Sequence, residues 1–208
     1  MNIIAIETSL PQASLCLSKD GAVVFSTSWN AIRNHDSFLF PALKNALDIL
    51  GNNTLDYVIV GAGPGSYGGV RVALAAAVGI ATVRAAKVVA LCSWHGLAAE
   101  DVAIISDARR GGWTVYRRDT DIQVLSTEEL QQSITNGLRI CTVENEEALS
   151  KAGISALQYN LCPTASGLVQ AWQNLTDEER ANLESKPAEP IYVRPPHITE
   201  AKRKPWEV

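Results

Sequence analysis

The residues from Tyr57 to Arg71 come nearest to chemistry by type and spacing. They read Tyr-Val-Ile-Val-Gly-Ala-Gly-Pro-Gly-Ser-Tyr-Gly-Gly-Val-Arg. A short apolar strand runs into a loop with five glycines, and the loop opens an alanine-rich helix without charge from Val72 to Val83. Strand, glycine loop and helix N-terminus together can cradle an anion, because backbone N–H groups converge there. Gly63 and Gly68 have Walker A spacing, but Gly69-Val70 stand where Lys and Ser/Thr must be. Gly63, Gly65 and Gly68 also fit a dinucleotide fingerprint. The next strand, Val88–Leu91, ends at Cys92-Ser93 without the acid that would hold a ribose. The favoured reading of the loop is a tight strand-to-helix turn that lets the helix pack closely.

Other candidate chemistry is sparse. Glu7 and Asp107 each end an apolar strand and could meet as a carboxylate pair. The structural alternative is that each caps its own turn or pairs with Arg109. Ser66 is not in a G-x-S-x-G elbow. The three histidines, His35, His95 and His197, include no pair at the spacing of metal ligands on a helix. Trp113, Tyr116, Trp172 and Trp206 are scattered, as core or surface anchors are.

Composition bounds the classes. The chain has 208 residues, 47% hydrophobic and 19% charged, with net charge −4. That suits a globular protein of one or two domains and disfavours nucleic acid over the surface as a whole. Cys16, Cys92, Cys141 and Cys162 form no C-x-x-C pair and read as buried free thiols of a reducing compartment. The N-terminus lacks a signal-peptide pattern, and the apolar run between Arg71 and Arg84 reads as too short to span a bilayer. A cytoplasmic location with no membrane contact is expected.

The elements that must position these residues follow from periodicity. Asn2–Ile6, 13–17 and 22–28 form a meander, with Asp20-Gly21 as a hairpin turn. A helix spans Phe38 to Leu50, kinked early at Pro41 and stopped by Gly51. Tyr57–Val60, the glycine-loop helix, Val88–Leu91 and a short helix from Ser93 to Ala99 complete the first half. The second half repeats the order with shorter elements. Strands are expected at 102–106, 113–117, 122–125, 138–143 and 156–159, and helices at 127–133, 146–151 and 166–174. The fold class is α/β, with mixed sheets flanked by helices. The predicted divisions are 1–100, a smaller lobe 101–186, and an extended tail 187–208 ending in the basic run Lys202-Arg203-Lys204.

Four segments together resemble a known family. They are Ile3–Ser9 with Glu7-Thr8-Ser9, the loop Gly63-Pro64-Gly65-Ser66 through Gly69 to Arg71, Asp107-Ala108-Arg109, and Glu189-Pro190-Ile191-Tyr192-Val193-Arg194. In this order they resemble the TsaB (YeaZ) family, nearly end to end. The resemblance implies two actin-like, RNase H-like lobes, the second reduced. It also implies a non-catalytic subunit of the bacterial machinery that installs threonylcarbamoyl on the adenosine beside the tRNA anticodon. The implied partners are a TsaD-like catalytic subunit and a TsaE-like ATPase, with tRNA reached through the complex. The catalytic relative holds metal with His-x-x-x-His after its fifth strand; here His95 is followed by Ala99 at the second position. Glu7 replaces the family's usual Asp, and Thr8-Ser9-Leu10-Pro11-Gln12 lacks the glycine that brings backbone N–H groups to phosphate. No cofactor is expected in the chain alone, with weak ATP or ADP binding at an interface of the complex as the alternative. The alternative function is an actin-like ATPase or a metal-dependent transferase or peptidase. The partner surface is expected on Gly69, Val72, Ala73, Ala76, Ala77 and Ile80, with Phe38 and Leu39 beside them, and a homodimer would compete for it.

Overall fold

A computed structural model describes residues 1–30, 36–97, 101–118 and 120–194. The expected N-caps near Asn34 and Asp36, His35, His197, Ala99 and the basic run 202–204 fall on residues or side chains outside these limits.

The first sheet has the order β3-β2-β1-β4-β5. Strands β1 (Asn2–Glu7), β2 (Gln12–Lys19) and β3 (Ala22–Asn30) form the antiparallel meander; β4 (Tyr57–Gly61) and β5 (Lys87–Leu91) continue in parallel. Asp20 and Gly21, at φ 50° and 89°, make the hairpin turn that an Asp-Gly pair favours. Strand β1 is apolar along its length because both sheet faces are covered. Ile4 and Ile6 point to a core shared with helices α1 (Asp36–Leu50) and α2 (Tyr67–Arg84). Ile3 and Ala5 point to another, built on α5 (Ala165–Asn174). Helix α1 runs unbroken through Pro41.

The second sheet, β8-β7-β6-β9, repeats the first four strands of that order. Its members are β6 (Val102–Asp107), β7 (Gly112–Tyr116), β8 (Gln123–Ser126) and β9 (Arg139–Thr142). Helix α3 (Thr127–Thr135) starts on a capping box between Ser126 and Glu129, and α4 (Glu146–Ser150) follows β9. Leu130 of α3 and Leu149 of α4 close the core of this lobe. Trp94, Ile104 and Tyr116 pack where the two lobes meet.

Three expectations are corrected and one helix is added. Residues 93–97 are turns, not the first part of a helix, since Leu97 N–H reaches only to the Trp94 carbonyl at 2.9 Å. Residues 156–159 are not a strand. They lie along β9 through Leu157 N–H to Ile140 O and Thr142 N–H to Gln158 O, but the Tyr159 hydroxyl takes the Ala156 N–H and Asn160 turns left-handed. Helix α6 (Asp177–Ser185) was not foreseen, because it buries no residue and carries almost no apolar periodicity; only its Thr176–Glu179 capping box marks it. Finally, the expected second lobe, 101–186, takes in α5 and α6 by chain order, yet both helices return to the first sheet. Trp172 packs tilted against Tyr57 with ring centroids 5.1 Å apart, and Glu184 of α6 accepts from Tyr57 and pairs with Lys87 of β5.

Helix α2 is also longer than its uncharged run suggested. It has 18 residues at mean hydropathy 1.2, enough by length and composition to cross a membrane, but a third of it is buried against the first sheet. Burial of the thiols pushes Cys16 and Cys92 up to about 12, so neither is a ready nucleophile.

Candidate functional site

The sequence motifs converge on the cleft between the two lobes. The turn after β1, the glycine loop after β4 and the turn after β6 form its walls, and the segment Ile191–Arg194 crosses it. Its volume is about 690 Å³.

The first wall is a set of backbone locks. Ser66 N–H donates to Ser9 O at 2.6 Å, and Thr8 Oγ1 donates to Gly69 O at 2.8 Å. A side chain at Gly65 would place its Cβ 2.2 Å from Ser9 O, so only glycine permits this approach. Ser66 caps α2 by accepting from Gly69 N–H at 3.2 Å, while Gly63 N–H donates to Ser93 Oγ at 3.1 Å. The loop's N–H groups at 63, 66, 69 and 70 thus have protein acceptors. The anion-cradle reading needs those donors, so the tight-turn reading fits better. Gly63 at φ 94° precedes a cis peptide to Pro64, and both are buried.

Glu7 and Asp107 do not pair. Glu7 is fully buried, and its Oε1 accepts from Ser9 N–H at 2.7 Å; Asp107 Oδ1 accepts from Arg109 N–H at 2.6 Å. Each acid caps the turn two residues ahead, the same device in both lobes. Burial raises the Glu7 pKa from its ordinary value, with hydrogen bonds from Ser9 offsetting part of the shift. Among the described residues neither acid forms an ion pair with Arg109.

The crossing segment joins the lobes. Ile191 N–H donates to Ala62 O at 2.8 Å, Tyr192 stacks on Tyr67 at 5.5 Å, and Arg71 bonds the Tyr67 hydroxyl and lies over its ring at 5.1 Å. Arg194 reaches the second lobe. A Cβ at Gly112 would stand 2.1 Å from its Nη2, so the absence of a side chain there makes room for the guanidinium. Glu189 is exposed and Pro190 half-buried, both outside this cleft. Trp94, Thr114 and Glu144 also line it, and no sequence pattern marked them. Trp94 sits in an apolar turn and reaches the cleft only through lobe packing.

Among the described residues, no group of three or more His, Cys, Asp and Glu stands close enough to hold a metal. His95 Nδ1 lies 2.7 Å from the Tyr116 hydroxyl.

The expected partner surface is only partly a surface. Gly69, Ala73, Ala77 and Leu39 are buried in the first core, because α2 presents Gly69, Val70, Ala73, Leu74, Ala77 and Ala81 to the sheet. Val72, Ala76 and Ile80 are half-exposed and, with Ala75 and Gly79, line a groove against Phe40, Leu43 and Leu47 of α1. Phe38 and Phe40, 48% and 55% exposed, stand on α1. Of the expected α2 residues the groove keeps Val72, Ala76 and Ile80, while Gly69, Ala73 and Ala77 turn to the sheet. A helix made almost wholly of small and apolar residues gives little sign of which face is inward.

Paired sheets that each open with an antiparallel meander, continue in parallel and face each other across a cleft define an actin-like, RNase H-like α/β protein. Residues 28–178 match the family model TsaD: tRNA N6-adenosine threonylcarbamoyltransferase, and the chain belongs to this family. The chain is 30% identical over 131 residues to the tRNA threonylcarbamoyladenosine biosynthesis protein TsaB of Escherichia coli K12. That match covers 57% of this chain and 56% of the relative. Two solved structures share the fold. YeaZ from Pseudomonas aeruginosa has TM-score 0.71 at 22% identity, covering 92% of this chain and 99% of that one. A protein described as uncharacterized with similarity to peptidase YEAZ, also from Pseudomonas aeruginosa, has TM-score 0.73 at 23% identity, covering 93% and 99%.

Proposed function

We propose that this chain is a non-catalytic subunit in tRNA threonylcarbamoyladenosine biosynthesis. It acts in the cytoplasm by docking and activating a TsaD-like catalytic subunit, to which a TsaE-like ATPase is added, and tRNA is reached through the complex. The observation that carries this reading is the groove between α1 and α2. It is about 690 Å³ in volume, apolar along Leu43, Leu47, Val72, Ala76 and Ile80, and open to solvent, with Lys44 and Asp48 at its edge. Small residues on one wall let a partner helix approach closely, and exposed Phe40 and Phe38 can anchor it. A homologous two-lobed subunit offers a helix pair of the same kind, so pseudo-symmetric packing is the natural occupant; a second copy of this chain would use the same face.

The family motifs support a scaffold by what they do. Glu7, Thr8, Ser9, Gly65, Ser66 and Asp107 serve locks and caps within the chain. An ATPase would need the loop donors for phosphate, and a metal-dependent transferase or peptidase would need a ligand set. Nucleotide bound weakly at the interface between subunits is compatible with the scaffold.

Ala76→Glu tests the reading. Ala76 is half-exposed in the groove, so the fold should survive while a charge without a partner enters the interface. The expected result, by analytical ultracentrifugation with the TsaD-like subunit of the same organism, is at least about a tenfold loss of affinity. Unchanged association would reject the face.

A further inference from the structure

We propose that the mouth of the inter-lobe cleft binds a nucleotide of a single-stranded RNA segment, with a base on the Tyr192 ring and phosphate at Arg194 and Arg109. This rests on the reading of the chain as part of a tRNA-modifying assembly, and adds a direct RNA contact to it.

Three independent features meet there. The first is an exposed aromatic pair. Tyr67 and Tyr192 stack at 5.5 Å and remain 57% and 51% exposed, a large aromatic surface for a segment that only ties two lobes together. Base stacking on such rings is sequence-tolerant and suits single strands. The second is unpaired positive charge in an acidic chain. Arg71, Arg109 and Arg194 surround the pair, and among the described residues none makes an ion pair. Arg109 is carried on a turn where it and Arg110 both take left-handed φ, 61° and 53°, a conformation ordinary side chains resist. The third is a buried donor. Trp94 lines the cleft at 1% exposure, and its Nε1–H has no acceptor among the described residues.

Two acids share the cleft and offset part of this charge. Asp107 accepts from Arg109 N–H, and Glu144 accepts from Asp107 N–H at 3.1 Å, which fixes both carboxylates on the backbone of the second lobe and leaves the guanidinium groups without a direct ion pair among the described residues. Ser66 and Gly68, at the start of α2, add the positive end of a helix dipole to the same opening.

The test is binding of a fluorescein-labelled RNA hairpin with a seven-nucleotide loop to the full chain, followed by anisotropy across a salt series. Tyr192→Ala should weaken binding about tenfold, and Tyr192→Phe, which keeps the ring, should not. Arg194→Gln should flatten the slope of log K against log salt by about 0.7, the value of one phosphate contact on a single strand. Lys151→Gln, an equal loss of charge at the C-terminal end of α4, should change neither. Circular dichroism melts of every variant establish that the fold is kept. Absence of RNA binding by the full chain at low salt overturns the proposal. So does binding that disappears on deleting residues 199–208 yet ignores Tyr192→Ala, since the basic tail would then be the whole site. AMP binding as tightly as the hairpin overturns it too, because the ligand would be a free nucleotide. Any of these results with Ala76→Glu still breaking partner association removes the RNA site and leaves the scaffold reading standing.

Discussion

Glu7 is the residue whose replacement gives the sharpest physical test. Its carboxyl is fully buried at the end of β1; Oε1 accepts from Ser9 N–H, and Oε2 makes no hydrogen bond among the described residues. Burial lifts its folded pKa above the unfolded value of 4.5. Between 4.5 and the raised value the folded chain holds a proton that the unfolded chain has released. More protons on the folded state means that stability from this group falls as pH rises through that window. The slope reaches at most about 1.4 kcal/mol per pH unit and is flat on either side. Glu7→Gln keeps the shape and the acceptor for Ser9 but cannot ionise. Variant and wild type should therefore differ little below pH 4.5, and the variant should gain on the wild type as pH rises above it. Urea denaturation at each pH measures the difference. Glu179, Glu184 and Glu128 have lowered pKa values and act in the opposite direction, but they are common to both proteins and cancel. A difference that is flat with pH, or that favours the wild type at high pH, would refute the argument.

Two further outcomes follow from the packing. Ala73 is fully buried on the face of α2 turned to the sheet, so Ala73→Glu buries a carboxylate at a cost of several kcal/mol; it should unfold the chain in a thermal melt, where Ala76→Glu does not. Gly65→Ala sets a methyl group against the Ser9 carbonyl, which is backbone and cannot swing away; loss of the Ser66–Ser9 bond and strain should lower stability by about 1–3 kcal/mol in chemical denaturation.

Much of this protein was legible in the chain of residues. Short apolar runs located β1 and β4, period-3.6 spacing located α1, and an uncharged alanine-rich run after the glycine loop located α2, because each element packs into the first core and its composition records it. Asp20-Gly21 and the Ser126–Glu129 capping box are local devices whose chemistry is complete within four residues. The glycine loop could be named as a tight turn, and the absence of lysine after it already weakened a phosphate site. Tertiary structure alone decided the rest. That α5 and α6 return to the first sheet depends on contacts such as Trp172 with Tyr57 and Glu184 with Lys87, between residues more than ninety positions apart. Which stripe of α2 is core could not be read from a helix with apolar residues on nearly every side; the sheet chose Ala73 and Ala77 and left Ala76 at the groove. Across the cleft a tail residue, Arg194, finds room over Gly112 of the second lobe, and no local pattern encodes an approach between residues so far apart in the chain.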